Sequence, residues 1–291
     1  MNFQVELTSV CDLTCGYCPN REMERERAFM SDEVFDVILH RYIIPYKEMN
    51  RFCTPTFIGH KDGEPLLNKK LPSVLRKLAD VLPDMNIDIY SHGLMLTKWR
   101  ERGQDFFEFL ATLPNHCRYL MSYHPKNHDE SINDYNATFR YMKEVLQNPP
   151  RNVEFIMVAH KAQGAPPTDE WLELWKPERE RGVLTVHANA SINPWAGRID
   201  DPNVSHFNGC PYGDFGHWFF GVTGNIIACC IDLEEEIIFG NVLHDEPSAM
   251  VTKLDAFYAD QRAKKVDHAV CHNCHGLPPA PGDLQSLTLR T

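Results

Sequence analysis

The sequence predicts an α/β chain: a partial (β/α)6 barrel of TIM-like type, followed by a small C-terminal cap of β-hairpin and helix that carries cysteines. Three observations lead there. Strand-like and helix-like segments alternate through the first 190 residues. The alternation stops at a Pro-, Asn- and Asp-rich stretch, Ile192–Asn203. The ten cysteines fall mainly in two groups, one at the N-terminus and one beyond that stretch. Residues 1–200 are therefore assigned to the barrel and 201–291 to the cap.

Phe3–Leu7 is the first strand. Ser31–Tyr46 is the first helix: Asp32 and Glu33 suit the positive end of a helix, although Val34 denies Ser31 a full capping box. There follow strand Thr56–Ile58, helix Lys69–Leu82, strand Ile87–Tyr90, helix Thr97–Leu113 and strand Tyr119–Ser122. Helix Ile132–Gln147, strand Val153–Val158, helix Thr168–Arg181 and strand Leu184–Ala188 complete the series. Strands joined by helices call for a parallel sheet, and six units rather than eight leave a barrel open. Reacting groups in such sheets gather at the C-terminal strand ends, where Cys11, Glu64, Ser91, Ser122 and His124 fall. Beyond the break, Trp218–Val222 and Asn225–Ala228 flank Thr223-Gly224 as a hairpin, and Pro247–Arg262 reads as a helix.

Composition excludes several classes. The chain has 291 residues, 43% hydrophobic, which is too apolar for a disordered protein. Its best apolar runs, Tyr42–Tyr46 and Trp218–Val222, fall far short of the roughly 18 residues of a membrane span. The opening MNFQVELTSVC lacks the basic and apolar regions of a signal peptide. A cytoplasmic protein without a membrane partner is expected. Forty acidic against 29 basic side chains give a net charge of −11. There is no basic stripe for nucleic acid, and Arg21–Arg27, where arginine alternates with glutamate, reads as a solvated face. The acidic balance is better suited to a cationic small-molecule substrate. Cysteines in a reducing compartment signify metal or catalysis more often than disulfides.

Cys11, Cys15 and Cys18 form a C-x3-C-x2-C loop directly after the first strand. Three thiolates on one loop can hold three irons of a cubane cluster and leave the fourth open to a ligand. Zinc is the alternative, but no histidine lies within ten residues of Cys18 to complete a four-ligand site.

With Tyr17 as the aromatic before the third cysteine, this loop resembles that of the radical S-adenosylmethionine (SAM) superfamily. Two further segments are similar in order. Asp62-Gly63-Glu64-Pro65 resembles the family's G-G-E-P, with Asp62 replacing the first glycine. Ile87–Gly93 resembles its strand and T-N-G turn, with Ser91 and His92 replacing Thr and Asn. The resemblance implies a [4Fe–4S] cluster on Cys11, Cys15 and Cys18 whose open iron binds the amino and carboxylate groups of SAM. It also implies a reductant protein of flavodoxin or ferredoxin type. Gly63 would allow close approach of SAM's methionine end, the carbonyls around Glu64 and Pro65 would accept from its ammonium, and Tyr17 would face the adenine. Ser91 lies in the matched turn, and Ser122-Tyr123-His124 is a candidate for the ribose or the substrate.

The second group is Cys210, then Gly224, Cys229 and the pair Cys271–Cys274. Its spacing resembles the cap of the SPASM/twitch branch, C-x9–15-G-x4-C followed by C-x2-C, and implies a second, fully ligated [4Fe–4S] cluster; zinc in the same four cysteines stays open. Within the branch the chain is similar to the deoxy-scyllo-inosamine dehydrogenases of aminoglycoside biosynthesis. It departs from them near the end of the barrel, where Asn193-Pro194-Trp195-Ala196-Gly197-Arg198 stands in place of an asparagine–arginine–glycine segment.

Several reactions remain open. Oxidation of an aminosugar or aminocyclitol to a ketone needs a base or orienting group, for which His124, His92 and Arg198 are candidates. Epimerisation of a sugar or peptide needs a hydrogen donor, for which Cys230, beside Cys229, is the candidate. Peptide maturation by thioether or crosslink would need a separate recognition protein, because Cys11 comes so early. A non-enzymatic iron–sulfur protein is the last alternative. Cys53 and Cys117 read as small buried residues.

Overall fold

The computed structural model describes residues 2–15, 17–50, 52–123, 132–160, 168–190, 193, 195–199, 204, 210, 212, 216–263 and 265–274. Six strands, β1 (Asn2–Val5), β2 (Thr56–Ile58), β3 (Asn86–Ser91), β4 (Cys117–Tyr123), β5 (Val153–His160) and β6 (Thr185–Ala190), pair in chain order, every pair parallel. The α/β architecture with a parallel sheet follows the sequence prediction.

Helices fill the crossovers. Ser31 caps α1 (Asp32–Ile38), its hydroxyl accepting from the Val34 N–H at 3.2 Å. A π-turn over Leu39–Ile43 carries α1 into α2 (Ile44–Met49). Pro45 supplies the reason: it has no N–H for the carbonyl four residues back, and the wider turn accommodates its ring. The third helix is α3 (Leu71–Val81). The single helix expected over Thr97–Leu113 is two, α4 (Met95–Glu101) and α5 (Phe106–Ala111). Gly103, at φ +74°, ends the first, and Asp105 starts the second by accepting from the Phe107 and Glu108 N–H groups. Then come α6 (Ile132–Val145), α7 (Thr168–Leu174) and α8 (Lys176–Glu180), the last two separated where Pro177 begins a new turn.

The hairpin β7 (Trp218–Phe220) and β8 (Asn225–Ile227) is present, with two features the sequence did not disclose. A third strand, β9 (Ile238–Asn241), pairs with β8. More importantly, β7 pairs parallel to β1, Phe3 opposite Trp218 and Val5 opposite Phe220. The hairpin thus continues the barrel sheet, whose order is β6-β5-β4-β3-β2-β1-β7-β8-β9. Helices α9 (Pro247–Arg262) and α10 (Ala269–Cys274) follow.

Alternation along the strands divides apolar from polar. Phe3, Val5, Phe57, Ile87, Ile89, Tyr119, Met121, Phe155 and Met157 are buried in one core with the helices. The opposite face places Gln4, Ile58, Asp88, Arg118 and Glu154 in one register row. Asp88 is buried there and takes a forked pair of hydrogen bonds from Arg118, with Nε at 2.7 Å from Oδ1. Cys117 is buried as expected, whereas Cys53 is exposed, in a turn closed by its N–H on the Asn50 carbonyl. No helix among the described residues is long and apolar enough to cross a membrane.

Candidate active site

The loop after β1 carries Cys11, Cys15 and Cys18 past the C-terminal edge of the sheet. It is tightened by the Cys18 N–H on the Cys15 carbonyl at 3.0 Å. Sulfur atoms here collect N–H donors two residues ahead: Leu13 donates to Cys11 and Asn20 to Cys18. The Tyr17 hydroxyl donates to Cys15. Burial pushes all three thiols up, Cys18 to about 12, so that each is protonated at neutral pH unless a metal displaces the proton. Three sulfurs on one loop with amide donors aimed at them fit an iron–sulfur cluster, whose thiolates and sulfides take up such bonds.

Against this loop lies the turn after β2. Gly63 is fixed by packing: a Cβ there would meet the Thr8 carbonyl oxygen at 2.3 Å and that of Val10 at 2.7 Å. The sequence suggests that glycine serves approach of a ligand; the structure shows its α-carbon against the backbone that leads into the cysteines. Glu64 N–H donates to the Val10 carbonyl at 2.9 Å, locking the two segments together. The Glu64 side chain is buried and fully used. Oε1 accepts from the Leu66 N–H at 2.9 Å, capping a short turn that begins at Pro65, and from Ser91 Oγ at 2.8 Å. Oε2 accepts from the His92 N–H at 2.9 Å. Ser91 Oγ in turn accepts from Gly93, whose φ of +84° makes the sharp exit from β3. Glu64, Pro65 and Ser91 are thus brought together, and they join β2 to β3 behind the cysteine loop.

His92 completes this corner. The Leu94 N–H donates to its Nδ1 at 3.1 Å, so the proton sits on Nε2, which donates to Asp12 Oδ1 at 2.8 Å. Burial opposes a charge on the ring, but the Glu64 and Asp12 carboxylates outweigh it and raise its pKa. Cys11 Sγ, an Asp12 oxygen and a His92 nitrogen lie within 4.8 Å of one another. Ser122 is half-buried at the C-terminal end of β4, opposite Val158. His124 lies outside the described residues.

The structure brings the four cysteines of the second group to one cavity. Cys210, Cys229, Cys271 and Cys274 line one cavity with Ile231, Phe257 and Val270. Here too sulfur receives N–H donors: Ile231 on Cys229, Ala196 on Cys274, and Gln261 Nε2 on Cys271 at 3.0 Å. Four cysteines lining one apolar cavity suit the wider spacing of a fully ligated iron–sulfur cluster. Cys230 is not among the residues lining it. Its Sγ lies 2.9 Å from Tyr212 Oη, and burial pushes the thiol up to about 11 against the pull of Tyr212 and Lys61.

The segment that departs from the dehydrogenase pattern, Trp195–Gly197, runs through left-handed backbone, with φ of 46°, 54° and 81°, and packs on α10. Arg198 lies in ion pairs with Glu234 and Glu236, at 3.7 and 3.4 Å. Ala196 carries a Cβ in a conformation that favours glycine, so Ala196→Gly is expected to raise stability by about 0.5–1 kcal/mol. A thermal melt reads this, and a fall in Tm would show that the methyl group is needed.

Two site residues escaped the sequence reading. Arg25, within the segment read as a solvated face, is mostly buried. Its guanidinium donates to Glu6 at 2.5 Å and Asp62 at 2.9 Å, and lies 3.3 Å from Glu235. Lys61 is buried beside it, its Nζ on Asp62 and, at 2.9 Å, on the Asp232 carbonyl. Asp62, the substituted glycine, is thus the shared counter-charge of two buried cations.

No family model matches the chain. It is 22% identical over 283 residues to the S-adenosyl-L-methionine-dependent 2-deoxy-scyllo-inosamine dehydrogenase of Niallia circulans, covering 94% of this chain and 92% of that protein. It is 29% identical over 109 residues to a GTP 3',8-cyclase of Nautilia profundicola, a match spanning 30% of that protein. Among solved structures, BtrN in complex with AdoMet and 2-DOIA superimposes with a TM-score of 0.61 at 18% identity, covering 94% of this chain and 91% of that one. Native anSMEcpe with bound AdoMet gives 0.56 at 14% identity, covering 93% and 87%. The chain therefore has the α/β fold of the radical SAM enzymes and resembles, along nearly its whole length, a SAM-dependent dehydrogenase among them.

Proposed function

We propose that the chain is a radical SAM oxidoreductase that removes hydrogen from a carbinol carbon of a small, polar, amine-bearing substrate, an aminocyclitol or aminosugar, and yields a ketone. One observation carries this: the loop of three cysteines after β1 is held to the Gly63–Pro65 turn by the Glu64 N–H on the Val10 carbonyl, and the Glu64 carboxylate ties that turn to the end of β3. When bound, a [4Fe–4S] cluster and SAM supply a deoxyadenosyl radical able to abstract hydrogen from an unactivated carbon. The chain's own residues hold and shape that site. Cys11, Cys15 and Cys18 are the thiolate ligands, and Glu64 fixes the strand ends around them. Tyr17 offers an aromatic face beside Cys15, and Ser122 a hydroxyl at the rim. The polar inner face of the sheet, with Tyr90 beyond the Asp88–Arg118 pair, suits a hydroxylated substrate. We assign the cavity of Cys210, Cys229, Cys271 and Cys274 to a second [4Fe–4S] cluster, for which these four would be the thiolate ligands and which would supply a one-electron acceptor. A reductant protein of flavodoxin or ferredoxin type would serve the first cluster.

The test is anaerobic reconstitution with iron and sulfide, reduction with dithionite, and assay of deoxyadenosine and methionine. With 2-deoxy-scyllo-inosamine as the probe, deoxyadenosine is expected to rise together with a ketone product. Wild-type protein that holds iron yet releases no deoxyadenosine would sink the enzyme claim.

A second reading, epimerisation, is favoured by one feature. Cys230 sits outside the four-cysteine cavity with Tyr212 on its sulfur, a placement suited to a hydrogen donor. Cys230→Ala separates the two. An epimerase would go on consuming SAM while losing epimerised product, whereas ketone formation would change little.

A further inference from the structure

Resting on the reading above that both cysteine groups hold clusters, we propose that Arg25 and Lys61 are positioning residues that pin the β8–β9 loop, with Cys229 and Cys230, against the loop of Cys11–Cys18. A continuous set of bonds joins the two. Asn20 gives its N–H to Cys18, and its side chain donates to the Ser9 and Asp62 carbonyls at 3.1 and 2.8 Å. The Asp62 carboxylate takes up Arg25 and Lys61. Arg25 then reaches across to the β8–β9 loop, with Nε donating to the Leu233 carbonyl at 2.6 Å, Nη1 facing Glu235, and its own backbone N–H on Glu234. Lys61 holds the Asp232 carbonyl of the same loop.

The loop is shaped to receive these cations. Glu235 has a left-handed φ of 57°, a conformation that persists only where surrounding contacts over-determine it. Gly221 makes room: a Cβ there would lie 2.1 Å from Glu235 Oε1. Asn225 Nδ2 donates to the other oxygen at 2.7 Å. The Asp232 carboxylate accepts from the N–H groups of Glu236 and Ile237, both at 2.8 Å, which stiffens the turn. An ion network serving stability alone has no need of strained backbone in the loop that bears a metal ligand. A forked guanidinium, by contrast, sets direction as well as distance.

The test is hydrogen exchange on the full chain with its clusters reconstituted. Arg25→Met is expected to speed exchange of amides 229–237 by about tenfold or more, while β3 to β5 keep their protection. Arg25→Lys, which keeps the charge and loses the fork, should fall between. Glu235→Gln should move the same amides and serves if the arginine variant does not fold. Electron paramagnetic resonance of the dithionite-reduced enzyme supplies the second readout: both cluster signals are retained in Arg25→Met, and the broadening each imposes on the other changes. Unaltered exchange at 229–237 in both variants, or equal acceleration throughout the sheet, overturns the proposal. Wild-type protein that takes up no iron overturns it too, and is seen separately as missing absorbance. Failure to release deoxyadenosine touches only the reading of function.

Discussion

Cys18→Ala is expected to abolish reductive cleavage of SAM, with deoxyadenosine and methionine falling to the buffer background. A cluster held by three thiolates on one loop has no spare ligand, and Cys18 is fixed between the turn onto Cys15 and the amide of Asn20. The second site draws on four other cysteines, so iron should drop from about eight to about four per chain rather than to zero. Iron analysis and visible absorbance read the loss, and chromatography reads the products. Cys117→Ala, on a thiol buried at the start of β4, is the matched control and should leave turnover intact. Deoxyadenosine from Cys18→Ala at the wild-type level would mean that the radical chemistry is initiated elsewhere.

Gly63→Ala should destabilise the chain by about 3 kcal/mol or more, a large effect for one methyl group. The added carbon would meet backbone oxygens, at 2.3 and 2.7 Å, that no rotamer change can withdraw. Those oxygens belong to the strand exit that leads into Cys11. Relief would have to come from moving the β1 loop or the β2 turn, and the Glu64–Val10 hydrogen bond resists that. For a chain of this size the shift corresponds to a fall in Tm of roughly 6–12 °C. Calorimetry on the iron-free protein separates this packing cost from cluster loss. An unchanged Tm with weakened SAM binding would instead support the ligand-approach role suggested by the sequence.

Those two residues also mark where sequence reading succeeds and fails. The positions of Cys11, Cys15, Cys18, Gly63, Glu64 and Ser91 at successive strand ends were legible, because the order of strands in a parallel sheet dictates which loops share an end. The reasons for them were not: what Gly63 abuts lies more than fifty residues back in the chain, and the Glu64 carboxylate binds the end of a strand almost thirty residues ahead. Arg25 shows a different limit. Glutamate alternating with arginine describes an exposed face equally well whether or not one guanidinium turns inward, and its partners Glu6 and Glu235 are remote. The three-residue strands β7 and β8 have turn chemistry between them and so were found. Strand β9 follows a loop with no such punctuation, and nothing local announces that β7 lies beside β1. Cys53 fails for the simplest reason, since standing before a strand says nothing of burial.

The pairing of β7 with β1 has a consequence for how the protein is made. On the ribosome the first strand emerges more than two hundred residues ahead of the neighbour that covers its outer edge. Until then the growing sheet can be lined on one side by β2 while the opposite edge presents open amides and carbonyls, the surface from which strand exchange and aggregation begin. Closing so long a loop is slow compared with the helix-linked pairings that precede it. The nascent chain therefore spends its synthesis with the Cys11–Cys18 loop attached to a half-finished edge, and about the last quarter of the sequence, from β7 onward, acts as the latch that ends this exposure.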